Sequence, residues 1–238
     1  MIQKTPQHIA FIVDGNRRWA TKRHLPAIAG HKLVVDKILD EIVSHSLKLG
    51  ISHLTFWAFS TENWKRGMDF ANKLFGLLGY ALDKNTDKYE KAGVRFNTIG
   101  DASKLPPKLQ QKLIELKNRS LNKHKLTVTV AINYGGRDEI IRAIKKLVKS
   151  GKYNQETIDN LTETDFVQFL DTNDLPEPDL IIRTGGDIRL SGFLSWQNQY
   201  SELFFTKTLM PDFSTKEFDK ILTEYSQRDR RFGGNTKK

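Results

Sequence analysis

Three polar segments of this sequence, each directly after an apolar run, combine glycine with guanidinium, hydroxyl and carboxylate side chains. They are Asp14-Gly15-Asn16-Arg17-Arg18-Trp19, Ser60-Thr61-Glu62-Asn63-Trp64-Lys65-Arg66 and Arg183-Thr184-Gly185-Gly186-Asp187-Ile188-Arg189-Leu190-Ser191. Guanidinium groups and the N–H groups of glycine-rich turns bind phosphate oxygens, and a carboxylate such as Asp14 can hold a divalent cation. The segments together predict a site for phosphorylated ligands and a metal ion.

Each segment also has an interpretation that involves no ligand. Residues 14–16 are typical of a plain turn, Gly185-Gly186 of a helix end or loop, and Arg183 of a surface ion pair. His31, which follows Gly30, is compatible with a helix start as well as with a functional role. Similar chemistry after three separate strands favours the ligand-binding interpretation over three coincidental turns.

Other residues receive structural roles from the pattern alone. Large aromatic side chains are usually buried, which predicts core positions for Trp19, Trp57 and Trp64. The acidic residues of one predicted helix are interpreted as a solvated face: Asp36, Asp40 and Glu41.

The elements that must position the three segments alternate along the chain. Short apolar or alternating runs predict strands at residues 8–13, 54–59, 94–99, 126–132, 180–182 and 203–206. Periodicity and end signals predict helices at residues 32–49, 68–92 and 138–150, and further helices that begin near Pro106-Pro107 and at Ser214. The pattern predicts an α/β fold with a mainly parallel six-stranded sheet flanked by helices. No long linker interrupts the sequence, so residues 1–238 are expected to form a single domain.

Composition excludes several classes of function. The chain has 238 residues and no cysteine, which rules out disulfides, thiolate metal clusters and cysteine nucleophiles. No apolar run approaches the roughly 20 residues that cross a bilayer, and no signal-peptide pattern is present, which favours a cytoplasmic location. The net charge of +10 favours an anionic partner: nucleic acid, a membrane surface or a phosphorylated small molecule. Composition does not choose among these three.

The motifs resemble those of the cis-prenyltransferase family, of the undecaprenyl diphosphate synthase type. The likeness begins with residues 8–20 and continues in the same order over nearly the whole chain. Its further blocks are Gly30-His31-Lys32, Phe59-Ser60-Thr61-Glu62-Asn63-Trp64, Asn133-Tyr134-Gly135-Gly136-Arg137, Arg183-Thr184-Gly185-Gly186, Arg189-Leu190-Ser191 and Arg230-Arg231-Phe232-Gly233-Gly234.

This resemblance implies an enzyme that condenses isopentenyl diphosphate onto an allylic diphosphate such as farnesyl diphosphate. The expected product is a medium- to long-chain polyprenyl diphosphate such as undecaprenyl diphosphate. The resemblance also implies Mg²⁺ as cofactor and a homodimer, with no nucleic-acid partner and with peripheral membrane contact for product release. Cations aimed at the leaving diphosphate would stabilise the transition state more than the ground state.

The resemblance also assigns roles to individual residues. The catalytic set is Asp14, Ser60 and Asn63, with the proton acceptor left unassigned. The metal set is Asp14 and Glu202. The set for the allylic diphosphate is Gly15, Asn16, Arg18, Arg66 and the nearby His31. The set for isopentenyl diphosphate is Arg183, Arg189 and Ser191, with Arg231 from the C-terminal tail (residues 228–238) reaching across the dimer. Further substrate-binding residues are Arg17, Trp19, Phe59, Glu62 and Trp64.

A growing hydrocarbon chain must leave water, because each buried CH₂ contributes about 0.8 kcal/mol. An apolar product tunnel is therefore expected beneath the phosphate-binding segments. The residues that match its wall are Ala58, Leu74, Leu77, Leu78, Ala81 and Leu126. Periodicity alone favours ordinary core packing for them.

Four positions depart from the family pattern. Arg17 replaces a glycine of many bacterial members, and Ala27 stands where a diphosphate-binding arginine is expected, a loss for which Arg17, Lys22 or Arg23 could compensate. Ile188 replaces a histidine that binds metal in some members, and Gly67 replaces a proline. These departures keep a short-chain or cyclising cis-prenyl diphosphate synthase open as an alternative.

Two alternatives belong to other functional classes. The net charge would suit a basic module that binds polyanions, although no aromatic-basic RNA motif is present. A non-catalytic subunit of a heteromeric prenyltransferase is the second alternative. The intact Asp14 and Arg183-Thr184-Gly185-Gly186 argue against it.

Overall fold

The computed structural model describes residues 5–230 and residue 234. Within them, six strands form one sheet in the order β3-β4-β2-β1-β5-β6, and every neighbouring pair is parallel. The strands are β1 His8–Ile12, β2 His53–Ser60, β3 Val94–Ile99, β4 Leu126–Tyr134, β5 Leu180–Arg183 and β6 Glu202–Phe205. The prediction of a single α/β domain with a mainly parallel six-stranded sheet is confirmed.

Helices connect the strands. They are α1 Asn16–Thr21, α2 Ala29–Leu33, α3 Leu39–Leu49, α4 Met68–Ala92, α5 Pro107–Arg119, α6 Gly136–Ser150, α7 Glu163–Val167 and α8 Thr215–Ser226. A π-helical stretch, Val34–Ile38, joins α2 to α3, and short 3₁₀ turns cover Thr61–Arg66, Ala102–Lys104, Ile158–Asn160 and Met210–Asp212. The serine expected to open the last helix does so, because Ser214 Oγ accepts a hydrogen bond from the N–H of Glu217.

Both faces of the sheet are buried, which explains the apolar runs of its central strands. Along β1, Ile9 and Phe11 belong to the core on one face, while Ala10 and Ile12 belong to the core on the other. The Phe11 ring stacks on Phe56 with centroids 5.3 Å apart. Because the two faces alternate residue by residue, the register of β1 is fixed by its packing.

The longest helix, α4, forms a wall in front of the sheet together with α3 and the π-helical stretch. Its outer edge is tied to them by polar contacts: Asp36 pairs with Lys84 at 3.1 Å, and Asp40 accepts a hydrogen bond from Tyr89 Oη at 2.8 Å. The prediction of a purely solvated face for Asp36 and Asp40 is therefore wrong. Their cationic partners lie 48 residues further along the chain, which helical periodicity does not reveal.

Candidate active site

The three polar segments meet at one edge of the sheet. Strands β2, β1 and β5 are neighbours, and the register pairs Ile12 with both Trp57 and Arg183. Because parallel strands end at the same edge, the segments that follow them surround one pocket. Its wall includes Asp14, Gly15, Asn16, Arg17, Arg18, His31, Ser60, Glu62, Asn63, Arg66, Arg183, Asp187, Arg189 and Ser191.

Asp14 lies at the centre of this pocket, directly after β1. Its Oδ2 accepts a hydrogen bond from Arg183 Nη2 at 2.9 Å, and its Oδ1 accepts one from the N–H of Gly15 at 2.6 Å. Gly15 has φ 99, and a Cβ there would lie 2.8 Å from the side chain of Leu209, so only glycine fits. Burial alone would raise the pKa of Asp14, but the hydrogen bonds from Arg183 and Gly15 and the charge of Arg18 outweigh it and lower that pKa. The carboxylate is thus anionic at neutral pH.

Arg183 links Asp14 to the segment after β5. It is 5% exposed, and its Nη1 donates to the carbonyl of Arg189 and to Ser191 Oγ. Its Nη2 contacts both Asp14 and Asp187, the latter at 3.2 Å. The guanidinium therefore holds Arg189 and Ser191 in place as well as facing the pocket.

Cations and one neutral histidine form the β2 side of the pocket. Arg66 lies over the Phe70 ring at 5.3 Å, and His31 packs edge-on against the same ring. Burial, with the nearby charge of Arg66, lowers the pKa of His31 to about 4 even though its ring nitrogen bonds the Ala27 carbonyl. His31 is therefore an uncharged hydrogen-bonding group at neutral pH.

Among the residues considered as replacements for the arginine missing at Ala27, only Arg17 lines the pocket. Arg23 instead lies 4.3 Å above the Trp19 ring and pairs with Asp212. Gly67 has φ 93, a backbone angle that proline cannot adopt, so this departure from the family pattern belongs to a different backbone path into α4.

Ser60 and Asn63 cap the turn that follows β2. The Ser60 side chain accepts from the N–H of Asn63, and Asn63 Oδ1 accepts from the N–H of Ser60 at 3.1 Å. This reciprocal box accounts for the serine and the asparagine three residues apart. It leaves the Asn63 amide NH₂ available to donate toward the pocket that both residues line.

The donor set suits a hard cation that is shared with a phosphorylated ligand. Asn16 is 6% exposed, its Nδ2 donates to the carbonyl of Val13, and its buried Oδ1 has no hydrogen-bond partner. Asp14 adds a carboxylate in the same pocket. Mg²⁺ is commonly held by one or two carboxylates plus substrate phosphates, so the residues fit it. Among the described residues no three histidine, aspartate or glutamate side chains form a metal cage by themselves.

An apolar cavity adjoins the polar pocket. The two share Val13, Asn16, His31, Ala58 and Leu74. Five of the six predicted wall residues line the cavity: Ala58, Leu74, Leu77, Leu78 and Ala81. Leu126 does not, because it is fully buried in the core. The lining along α4 continues to Tyr89, about 22 Å from Leu74 at 1.5 Å per residue.

Several predicted site residues lie elsewhere. Trp19 donates to Asp212, and Trp64 donates to Asn133 Oδ1 within the core, so neither lines the polar pocket. Phe59 lines the apolar cavity instead. Glu202 is level with Leu180 at the opposite end of β5 from Arg183, and it pairs with Arg228 at 2.6 Å. Glu202 therefore lies away from Asp14 within one chain, and its assignment to the metal stays a prediction. Arg231 lies outside the described residues.

Several residues of the pocket wall are absent from the predicted site, among them Trp57 and Asp187. Trp57 lines the pocket while its ring stacks on Phe193 at 4.8 Å, so a residue predicted as core also faces the site. Asp187 lines the pocket among arginines. Its signal in the sequence was a carboxylate inside an arginine- and glycine-rich segment.

Comparison with known proteins identifies the family. The family model of undecaprenyl diphosphate synthase matches residues 12–233. The chain belongs to this prenyltransferase family. It is 43% identical over 231 residues to the isoprenyl transferase of Thermotoga maritima, a match that covers 97% of this chain and 98% of the relative. It is 42% identical over 233 residues to the ditrans,polycis-undecaprenyl-diphosphate synthase ((2E,6E)-farnesyl-diphosphate specific) of Legionella pneumophila, covering 98% of each chain.

The fold agrees with that assignment. The structure of lavandulyl diphosphate synthase from Lavandula x intermedia, in complex with dimethylallyl diphosphate, superposes with a TM-score of 0.89. The two chains are 34% identical, and the match covers 96% of this chain and 98% of the other. None of the helices in residues 5–230 has the length and apolarity to cross a bilayer.

Proposed function

We propose that this prenyltransferase adds isopentenyl diphosphate to an allylic diphosphate, farnesyl diphosphate in the first instance, with a new cis double bond in each unit. The observation that carries the proposal is the junction of the polar pocket with the apolar cavity. Ala58 and Leu74 line both, so a ligand with a diphosphate head and a hydrocarbon tail fits across them. A soluble sugar phosphate has no hydrocarbon tail that would occupy the apolar cavity.

The position of Asp14 divides the pocket into two anion subsites. On the β2 side, His31 lines both the polar pocket and the apolar cavity, with Arg66 nearby, which suits the allylic diphosphate with its long tail. Arg18 contacts both Asp14 and Asp187 and so stands between the two subsites. On the β5 side, Arg189 and Ser191 stand away from that cavity, which suits the short isopentenyl diphosphate. The β1 strand between them brings the two substrates side by side.

The chemistry follows from this placement. Breaking the allylic C–O bond transfers its electron pair to the leaving diphosphate, and the arginines are fixed where that charge develops. The C4 carbon of isopentenyl diphosphate then bonds the allylic C1, and a proton is lost from C2 of the isopentenyl unit. Asp14 and Asn16 would hold Mg²⁺ here, which supplies further neutralisation of the diphosphate charge when bound. The neutral His31 can donate a hydrogen bond without adding a competing charge.

Cavity depth supports a medium- to long-chain product such as undecaprenyl diphosphate. The cavity follows α4 from Leu74 to Tyr89, and the small side chain of Ala58 leaves its entrance open. A short-chain synthase would not need the deeper part of this cavity. We assign the cavity as the product tunnel on this ground.

A homodimer completes the proposal. Arg230 bonds Asp179, and Arg228 pairs with Glu202, so the start of the C-terminal tail is held at the opposite end of β5 from Arg183. Arg231 follows directly and is proposed to serve the isopentenyl subsite of a partner. The reaction is assigned to the cytoplasm, with peripheral membrane contact when the product leaves.

The test is incorporation of labelled isopentenyl diphosphate into butanol-extractable products, with farnesyl diphosphate and Mg²⁺. We expect polyprenyl diphosphates from the purified protein and a loss of about a thousandfold in Asp14→Ala, comparable to removing one key stabilising group. Asp69→Ala, whose side chain is 93% exposed on α4, is the control for the lost charge.

The opposite result is also defined. No extension of farnesyl or dimethylallyl diphosphate by a folded protein would overturn the enzyme assignment. Steeply salt-dependent binding of RNA by that same inactive protein would favour the polyanion-binding alternative.

A further inference from the structure

The buried guanidinium of Arg183 has its four Nη hydrogens engaged by protein atoms. The partners of Nη1 are the Arg189 carbonyl and Ser191 Oγ, and those of Nη2 are Asp14 and Asp187. A diphosphate that is to bond the Nη groups of Arg183 must therefore replace one of these partners. The partner that the diphosphate replaces should be the one that the protein holds least firmly.

Asp187 differs from the other three in what its carboxylate touches. The single atom Oδ2 lies 2.7 Å from Arg189 Nη2, 3.2 Å from Arg183 Nη2 and 3.9 Å from Arg18 Nη2. All three arginines line the polar pocket. An oxygen anion at the meeting point of three guanidinium groups occupies the position that suits a diphosphate oxygen.

The backbone around Asp187 suits a residue that moves. It follows Gly185 and Gly186, which have φ 90 and 86, and Ile188 after it is 79% exposed. A Cβ at Gly186 would meet only Lys207, at 3.7 Å or more, so there is free space beside the residue that precedes Asp187. Gly185, one residue earlier, is closely packed against Arg18 and Asp14 and anchors the loop. Within the described chain, the Asp187 carboxylate bonds only arginine side chains, whereas Asp14 also accepts a hydrogen bond from the N–H of Gly15, and its own N–H donates to Thr184 Oγ1.

Electrostatics explains why such a group would be kept. Three guanidinium groups around one pocket repel one another, and the carboxylate of Asp187, together with that of Asp14, offsets that repulsion. When a diphosphate arrives, the same carboxylate becomes a like charge beside it. The free energy of binding then contains the cost of displacing Asp187.

We propose that Asp187 is an internal anion that fills the isopentenyl subsite and is exchanged for the diphosphate of the incoming substrate. The identity of that substrate rests on the proposed function, but the exchange itself concerns any diphosphate. Asp187 is thus a positioning residue of the empty site and a competitor of the ligand. It sets the affinity of the subsite below the value that its arginines alone would give.

The experiment uses inorganic pyrophosphate, with EDTA present so that no metal bridges the groups. Calorimetry should give a dissociation constant about tenfold lower for Asp187→Asn than for the wild type, the equivalent of one charge-assisted hydrogen bond. Without ligand the variant should melt at a lower temperature, and pyrophosphate should raise its Tm by more than it raises that of the wild type. Asp69→Asn carries the same change of net charge on an exposed part of α4 and should behave like the wild type.

A second variant locates the effect. Arg189→Ala alone should weaken pyrophosphate binding, so the comparison is made within that background. There, Asp187→Asn should lower the dissociation constant by less than it does in the otherwise wild-type chain, because Arg189 makes the shortest contact with Asp187. Equal or weaker binding of pyrophosphate by Asp187→Asn would overturn the proposal and leave Asp187 a purely structural partner of the arginines. Should the amide variant not fold, Asp187→Ser gives the same comparison.

Steady-state kinetics of prenyl transfer provides an independent test of the exchange. The KM for isopentenyl diphosphate should fall in Asp187→Asn, while the KM for the allylic diphosphate stays within about twofold. A protein without prenyl transfer that still binds pyrophosphate more tightly after Asp187→Asn would disprove the proposed function alone. The two conclusions can therefore fail separately.

Discussion

His8 couples the stability of this fold to pH through a single buried side chain. It is 2% exposed, its Nδ1 contacts the Pro176 carbonyl at 2.7 Å, and its Nε2 contacts Thr55 Oγ1 at 2.8 Å. A neutral ring with its proton on Nδ1 satisfies both contacts, because the hydroxyl can donate to Nε2. Burial lowers the pKa of His8 from 6.5 to about 4 despite the Pro176 bond.

Acidification should therefore favour unfolding. The unfolded chain binds the proton near pH 6.5 and the folded protein only near pH 4, so stability is full above 6.5 and declines between these values. From pH 7 to pH 5, His8 should cost about 2 kcal/mol of unfolding free energy. Urea unfolding at both pH values should show this extra loss in the wild type and not in His8→Gln.

The control for this prediction is the exposed His124. His124→Gln should retain the wild-type decline of stability between pH 7 and pH 5. If His8→Gln lost as much stability as the wild type over that interval, the ring would not be the group that titrates.

The sequence was sufficient to predict the six strands, but it did not predict all of the helices that connect them. Six apolar runs gave six strands, because strands buried on both faces are apolar along their length. The helix Asn16–Thr21 was missed, since Asp14-Gly15-Asn16 also satisfies the pattern of a turn. The π-helical stretch Val34–Ile38 has no proline or glycine to mark it.

Part of the candidate site could likewise be predicted from the sequence, and part could not. Asp14, Arg18 and Arg183 could be predicted because they follow strands whose ends must meet at one edge. Periodicity could not show which apolar residues line the cavity. Leu74 fits the apolar pattern of its helix and Leu126 that of its strand, but the pattern does not show whether core residues or the cavity lie against them. No pattern in the sequence indicated that Tyr89 lines the deep end of the cavity.

The wall of the cavity makes a prediction about product length. Ala58 on β2 stands at the junction of the polar pocket and the apolar cavity. In Ala58→Leu, each passage of the growing chain through this junction should meet added bulk. An overpacking cost of about 1–3 kcal/mol slows extension by roughly 5- to 150-fold. Chromatography of labelled products should show short chains accumulating.

The matched control places the same side chain where no product passes. Ala102→Leu lies on an exposed 3₁₀ turn and should leave the product distribution unchanged. Long products from Ala58→Leu at the wild-type rate would show that the hydrocarbon chain takes another path.

The whole molecule determines whether one chain can complete its own site. The continuous described chain ends at Arg230, which bonds Asp179 just before β5, while the proposed isopentenyl subsite lies beyond the end of β5. In a symmetric dimer, each protomer could lend its tail to the other. This arrangement predicts complementation between two defective chains.

A heterodimer of Asp14→Ala and Arg231→Ala chains, purified through two different tags, tests it. If the tail serves the partner, the chain with Asp14 intact receives the intact Arg231 of the other, and one complete site forms in each heterodimer. Its activity at low isopentenyl diphosphate should be about half that of the wild-type dimer, above either parent homodimer. If each tail serves its own chain, no site in the heterodimer is complete, and activity should stay near the mean of the two parents.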